Sequence, residues 1–257
     1  MIPISDDNPT LRTPVMTYLL LSLIAFVWIF LQKAGLDSTA LARSVCEWGM
    51  VPGELTGRAP LGFEVPLSRN LQCIVDNEPI NIFTPLTSMF LHGGWGHILG
   101  NCLFFWVFGN NVEDSMGRLR FLIFYVLCGL IAAGAHVAID PTSPVPTVGA
   151  SGAISGVLGA YLVLYPRVRV NLLVPIFFIL RIFSVPAWLV LIYWFGLQVI
   201  TGLPQLTTIR ADASGGVAVW AHIGGFVAGM ALIKLFENRN YTAQRTGWRH
   251  RLHPDHP

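Results

Sequence analysis

Six stretches of this chain are long, apolar and almost free of charge, and no other feature limits its fold so strongly. They cover about residues 15–31, 95–112, 121–139, 151–165, 185–200 and 215–236, and Lys234 is the one charged residue inside them. A bilayer core roughly 30 Å thick demands such runs, at about 20 apolar residues per helix. The whole chain agrees with its parts. It is 53% hydrophobic and 12% charged, roughly half the charge of an ordinary soluble domain. The expected fold is an all-α polytopic membrane protein, a bundle of six transmembrane helices. The first run reads as a retained span rather than a cleaved secretory signal, although Ala40 to Ala42 resembles a cleavage site. Its apolar core is longer than a signal core, and its flank holds only Arg12.

Four regions follow: a polar tail over 1–14, the six-span core over 15–236, a long loop over 32–81 inside that core, and a basic tail over 237–257. Loops of such length usually carry function or partial structure. The Leu, Phe and Trp content of this one predicts short amphipathic pieces at the interface. Residues 171–183 are apolar but too short to span. With Pro175 and Arg181 among them, they are expected to lie at the interface or to re-enter. The last tail, which holds His250, His253 and His256, is expected to be disordered and solvated.

Charge asymmetry orients the bundle. Six spans put both termini on one side. That side collects Arg12, Arg118, Arg120, Arg167, Arg169, Arg181, Lys234, Arg239, Arg245, Arg249 and Arg251. The other side has Lys33, Arg43, Arg58, Arg69 and Arg210. The positive-inside rule therefore makes both tails cytoplasmic and the long loop external. Cys46 and Cys73 share that loop and could pair there, whereas Cys102 and Cys128 lie in apolar runs. The cysteines lack metal-type spacing, so no metal or cofactor is expected. The net charge of +2 is too small to suggest nucleic acid.

Polar groups inside spans are costly and default to function. Few exist: His97, Asn101, Asn110 and Asn111 in the second span, His136 near the end of the third, Ser151 and Ser155 in the fourth, and His222 in the sixth. No Asp or Glu lies deep in a span, which argues against a proton relay or cation path. Alternate spans start on the external side, so His97, Asn101, Ser151 and His222 all reach one level of the outer leaflet. The fourth run helps: 15 residues make a helix of only about 22 Å, which sinks its first residue below the surface. Ser151 alone would read as a helix N-cap.

Chemistry assigns roles to this set. Ser151 is the candidate nucleophile and His222 the candidate general base. With no carboxylate at hand, a two-residue Ser–His pair is implied. His97 and Asn101 share a helix face and, with the Ser151 amide, are candidate oxyanion donors. Gly152, Gly156 and Gly159 give the fourth span a smooth face. Ala221, Gly225 and Gly229 do so for the sixth, and such faces let helix backbones approach. His92 and His136 are expected outside the catalytic set. Asn110, Asn111, Glu113 and Arg118 are expected to cap and link at the cytoplasmic end.

Three segments in order resemble the rhomboid family of intramembrane serine proteases. They are His92 to Asn101 with His97 between, Gly149-Ala150-Ser151-Gly152, and Ala221-His222 through Gly225 to Gly229. The resemblance covers about residues 80–235. It implies a six-helix bundle with an outward-opening cavity, Ser151 as nucleophile, His222 as base, and His97, Asn101 and the Ser151 amide as oxyanion stabilisers. Gly149 would belong to the serine loop, and the fifth span would be the substrate gate. The implied substrates are single- or multi-span membrane proteins, cut near the outer end of a spanning helix within the lipid bilayer. One departure stands out. Some members stack an aromatic residue, four positions after the nucleophile, on the base; here Ser155 holds that position. Either the hydroxyl bonds locally or another ring positions His222. Oligomeric state is left open, and a bacterial inner membrane is the default location.

Two other readings compete: a non-proteolytic rhomboid-like factor that binds or sorts membrane proteins, and a small-solute channel or transporter. Intact Ser151 and His222 weigh against the first. The lack of buried carboxylates and of an inverted repeat weighs against the second.

Overall fold

The computed structural model describes residues 2–68, 71–75, 81–176, 179–206, 218–242 and 244. Strand β1 (Ile2–Asp6) leads into helix α1 (Val15–Phe26), which continues through one wider helical turn to Leu31. The long loop then folds into α2 (Ser38–Trp48), α3 (Pro52–Leu55), the strand pair β2 (Glu64–Ser68) and β3 (Leu71–Ile74), and α4 (Thr84–Thr87). Next come α5 (Trp95–Met116), α6 (Arg118–Ile139) and α7 (Ser151–Leu164). A hairpin, β4 (Arg169–Ile176) and β5 (Ile179–Pro186), precedes α8 (Ala187–Gly202) and α9 (Val219–Phe236).

The molecule is rich in helix, but the all-α expectation needs correcting. Of that apolar stretch, residues 171–176 lie in β4 and 179–183 in β5, and β1 joins them antiparallel in the order β1-β4-β5. The physical reason is visible in the sequence. Val170, Leu172, Val174, Ile176 and Ile182 are β-branched or apolar at strand spacing, and prolines at 175 and 186 break any helix. The N-terminal residues thus form an edge strand. Of the helices, α6 and α9 are each long and apolar enough to cross a membrane; α1, α7 and α8 are shorter apolar helices. At 14 residues, α7 is about 21 Å long. The expected start of the last span at residues 215–217 and the histidines of the C-terminal tail lie outside the described residues.

At one end of the bundle, the expected Glu113–Arg120 link shrinks to Gly117, whose φ of +85° makes a left-handed turn that favours glycine. Glu113 and Asp114 are consequently helical and buried. Glu113 accepts from the amides of Met16 and Thr17 and from the Thr17 hydroxyl at 2.8–2.9 Å, so it caps the first turn of α1 from another helix. Asp114 accepts from the amides of Leu11 and Arg12 and pairs with the Arg12 guanidinium at 3.3 Å. That guanidinium lies 3.6 Å over the Tyr241 ring, in a helical turn over 239–242, so both ends of the chain meet there.

The core is aromatic. Phe105, Phe108, Phe121, Phe124, Tyr125 and Tyr161 are all fully buried. Phe108 meets Tyr161 edge-on at 4.9 Å, and Phe105 meets Tyr125 at 5.2 Å. Apolar side chains such as Phe30, Trp106, Leu119, Ile192 and Ile200 cover the exterior, as a lipid surround requires.

Helix α7 is buried against α9 at a contact with no room for side chains. A methyl placed on Gly225 would lie 2.0 Å from the Gly152 carbonyl oxygen. One on Gly229 would lie 1.9 Å from that of Gly156, and one on Gly159 would lie 2.1 Å from that of Phe226. Each oxygen belongs to backbone, so nothing can rotate away. Gly229→Ala should therefore lower the thermal midpoint of the detergent-solubilised protein sharply, by roughly 3 kcal/mol of stability. Gly134→Ala, which meets open space on α6, should leave it unchanged. Equal midpoints for the two variants would refute this account of the α7–α9 contact.

Candidate active site

Ser151 is the first residue of α7, and Ala150 occupies the cap position. Its amide lies in the first turn, where no intrahelical acceptor exists. The preceding loop is held on three sides. The amide of Gly149 donates to the Ser88 carbonyl at 2.9 Å. Thr147 exchanges both backbone hydrogen bonds with Met50, at 2.7 and 3.0 Å. The amide of Gly53 donates to the Ser143 carbonyl at 2.8 Å, and the Thr56 hydroxyl donates to the Pro141 carbonyl. His136, expected outside the site, bonds the Thr147 hydroxyl at 3.1 Å and braces the same loop. The long loop after the first helix thus helps fix the backbone that delivers Ser151. It is itself closed by a Cys46–Cys73 disulfide spanning 27 residues.

Gly149 has φ of +132° and a second reason to be glycine. A methyl there would lie 2.7 Å from His97 Nε2 and 3.5 Å from Ser151 Oγ. The His97 ring and the Ser151 hydroxyl therefore converge on the face of Gly149. His97 Nδ1 receives the Gly93 amide at 3.4 Å. A neutral His97 then keeps its proton on Nε2, the edge that faces Gly149.

Asn101 lies one turn below His97 on α5 and is buried. Its Nδ2 donates to His92 Nε2 at 2.9 Å, because an amide nitrogen has no lone pair to offer. A second N–H remains on that nitrogen. The reading of His92 as a loop or interfacial residue misses this role. His92 is fully buried, its ring lies 5.1 Å from that of His97, and the Gln32 side chain bonds both its backbone amide and its carbonyl at 2.9 Å. Gln32 in turn reaches the Ser44 hydroxyl of α2 at 3.2 Å. The i,i+5 spacing of His92 and His97 across a double glycine was the available signal.

His222 lies on α9, and its backbone neighbours that of Ser151. A methyl on Gly152 would be 3.8 Å from Ala221 Cβ, and the Gly152 carbonyl presses on Gly225. The imidazole is 7% exposed. Its Nδ1 lies 2.9 Å from Gln198 Oε1 of α8, and its ring lies 5.7 Å from that of Trp194, one turn earlier. Its Nε2 is buried and has no hydrogen-bond partner, so the Ser151–His222 bond is not made in this structure. Such bonds are often loose before substrate arrives. Ser155 donates to the Ser151 carbonyl at 2.6 Å. Its hydroxyl is used locally, and the ring beside His222 is Trp194. Gln198 and Trp194 were not among the sequence candidates. The signal was a single polar residue in an otherwise apolar run.

A family model for the Rhomboid domain matches residues 79–239, more than half of the chain. The chain belongs to the rhomboid family. It is 43% identical over 77 residues to rhomboid protease GluP of Bacillus subtilis, a match covering 30% of this chain and 15% of that one. YdcA, a rhomboid-protease candidate from the same bacterium, is 31% identical over 150 residues, covering 58% of this chain and 61% of its own. RHOMBOID-like protein 12, mitochondrial, of Arabidopsis thaliana is 28% identical over 192 residues, or 67% and 52% of the two chains. The chain thus spans less than two thirds of the length of each. Rhomboids are integral membrane proteins, and the apolar exterior of this one suits that setting. In this rhomboid, Gly149→Ala should drive the His97 ring or the serine loop aside. Labelling of Ser151 by a serine-directed fluorophosphonate should then slow roughly a hundredfold, the scale on which ångström misplacements act. An unchanged labelling rate would show that Gly149 is replaceable there.

Proposed function

We propose that this rhomboid is an intramembrane serine endopeptidase that hydrolyses peptide bonds in or near spanning segments of membrane proteins. The observation that carries the reading is His222 Nε2. It is a buried imidazole nitrogen with an unused lone pair, on the helix whose backbone abuts the Ser151 turn. A buried nitrogen without a partner is costly unless a substrate state uses it.

The reaction uses this chain's own groups throughout. Ser151 Oγ attacks the scissile carbonyl carbon while His222 Nε2 takes its proton. The carbonyl oxygen becomes an oxyanion and receives the Ser151 amide, the second N–H of Asn101 Nδ2, and His97 Nε2–H. The C–N bond then breaks, and the imidazolium of His222 gives its proton to the leaving amine. Water attacks the acyl-enzyme with His222 again as base, and Ser151 leaves with the proton returned. His92 acts through Asn101, holding its amide plane so that one N–H stays aimed at the oxyanion. The bundle is six-pass, with both termini in the cytoplasm and the site in the outer leaflet. The disulfide supports this orientation, since such bonds persist in oxidising compartments outside the cytoplasm. Substrate helices enter from the lipid.

The test is cleavage of a single-span membrane substrate by purified protein in proteoliposomes. Wild type should cut it, and Ser151→Ala and His222→Ala should each fall to background. Asn101→Ala should lose about 3–4 kcal/mol of transition-state stabilisation, roughly a hundred- to a thousandfold in kcat, with little change in KM. Wild-type cleavage by the Ser151→Ala variant would overturn the assignment.

A further inference from the structure

Resting on the protease reading, the geometry points to Gln198 of α8 as the residue that positions the base, holding neutral His222 with its proton on Nδ1 so that Nε2 can accept from Ser151. The argument begins with the hydrogen bond. Gln198 Oε1 lies 2.9 Å from His222 Nδ1. An amide oxygen has no proton to give, so Nδ1 must donate. In a neutral ring the lone pair is then on Nε2, the nitrogen left without a partner. A base needs that tautomer; the other one presents an N–H to the serine and cannot take its proton.

Among the described residues, no other element does this work. Helix α7 contributes neither ring nor hydrogen bond, because Ser155 is spent on the Ser151 carbonyl. The other titratable side chains that act on His222 are His97 of α5 and His136 of α6, neither of which bonds it. Helix α8 supplies both restraints, one turn apart: the Trp194 ring against the imidazole and the Gln198 oxygen on Nδ1. Phe195, between them in sequence, stacks on Phe226 of α9 at 4.6 Å, and Trp194 reaches the same ring at 6.0 Å. The α8–α9 packing therefore sets the approach of Gln198 to His222. Gln198 is a positioning residue: it reaches the reaction only through His222.

The experiment compares wild type, Gln198→Leu and Gln198→Glu in proteoliposomes. It reads kcat and KM on a single-span substrate, the pH–rate profile, and the imidazole 15N signals of His222. In Gln198→Leu, kcat should fall roughly ten- to a hundredfold, the usual effect of losing an orienting partner, with KM unchanged. Part of the His222 population should move its proton to Nε2. In Gln198→Glu a carboxylate accepts at the same point, so the Nδ1–H form and most of kcat should be kept. Its charge stabilises the imidazolium, so the acid limb of the profile should move to higher pH. A Gln198→Leu variant whose His222 stays protonated on Nδ1, or a Gln198→Glu variant with an unshifted limb, would overturn the inference. The 15N signals separate the two ideas. If wild type cuts nothing while the tautomer still follows residue 198, the protease reading fails and the positioning role stands.

Discussion

The contact between α7 and α9 is the constraint on which everything else depends. Inside a bilayer the hydrophobic effect gives helices no reason to prefer each other over lipid, so association rests on close packing. Here the packing is backbone on backbone. Carbonyl oxygens of Gly152, Gly156 and Phe226 occupy the space where side chains of Gly225, Gly229 and Gly159 would otherwise stand. A helix with one side so smooth can be buried almost entirely, and α7 is, from Ala153 to Tyr161. The same contact fixes the register that sets the turn of Ser151 beside the turn of His222. Packing and chemistry are thus one feature of the sequence. A glycine that sustains the fold also sets the separation of Ser151 and His222.

Polar groups complete what glycine packing begins, and they do so at the two ends of the helices. At one end Glu113 takes up amides in the first turn of α1 and Asp114 takes up the Leu11 amide before it. At the other, Ser44, Gln32, His92 and Asn101 form a continuous chain of hydrogen bonds from α2, through the residue that follows the first helix, to α5. A buried network of this kind stabilises most when its members are satisfied, and here His92 Nδ1 is buried without a hydrogen-bond partner. Its last member, Asn101, ends with one N–H to spare. The serine loop is braced separately, through Met50, Ser88 and His136. Ser151 and the His97–Asn101 pair are therefore held by different contacts, Met50, Ser88 and His136 for the first and Gln32 and His92 for the second, and none of these contacts comes from α8.

Much of this was legible in the sequence. Helical runs, the shortness of α7 and the small-residue faces follow from hydropathy and spacing, because each is a property of one segment. His97, Asn101, Ser151 and His222 stood out because lipid makes any polar residue conspicuous. The misses have other causes. The β4–β5 pairing is local and is missed because a short apolar run fits strand and helix alike, whereas β1 joins β4 by pairing Asp6 with Val170 and Ile2 with Leu173, which no window along the chain detects. His92 looks like a loop residue until α1 brings Gln32 to its backbone. Gln198 is one polar side chain on an apolar helix. Only the rotation of α8 against α9 decides whether it faces lipid or the imidazole.

That rotation bears on why an amide, rather than a carboxylate, stands behind the base. A carboxylate on Nδ1 would stabilise the imidazolium more, but it would have to remain charged between turnovers. Beside the Trp194 and Phe226 rings, a permanent charge carries a desolvation cost that the neutral imidazole of the proposed resting site offsets only in part. The amide oxygen selects the same tautomer with no net charge. In the proposed reaction, charge then appears only when Ser151 gives up its proton, and it appears as a pair: an imidazolium protonated on Nε2 and an oxyanion held by Asn101, His97 and the serine amide. In a medium of low dielectric such a pair is strongly coupled. The oxyanion donors and the base therefore support one transition state rather than two separate charges. The arrangement suits a site where neither charge is tolerated alone.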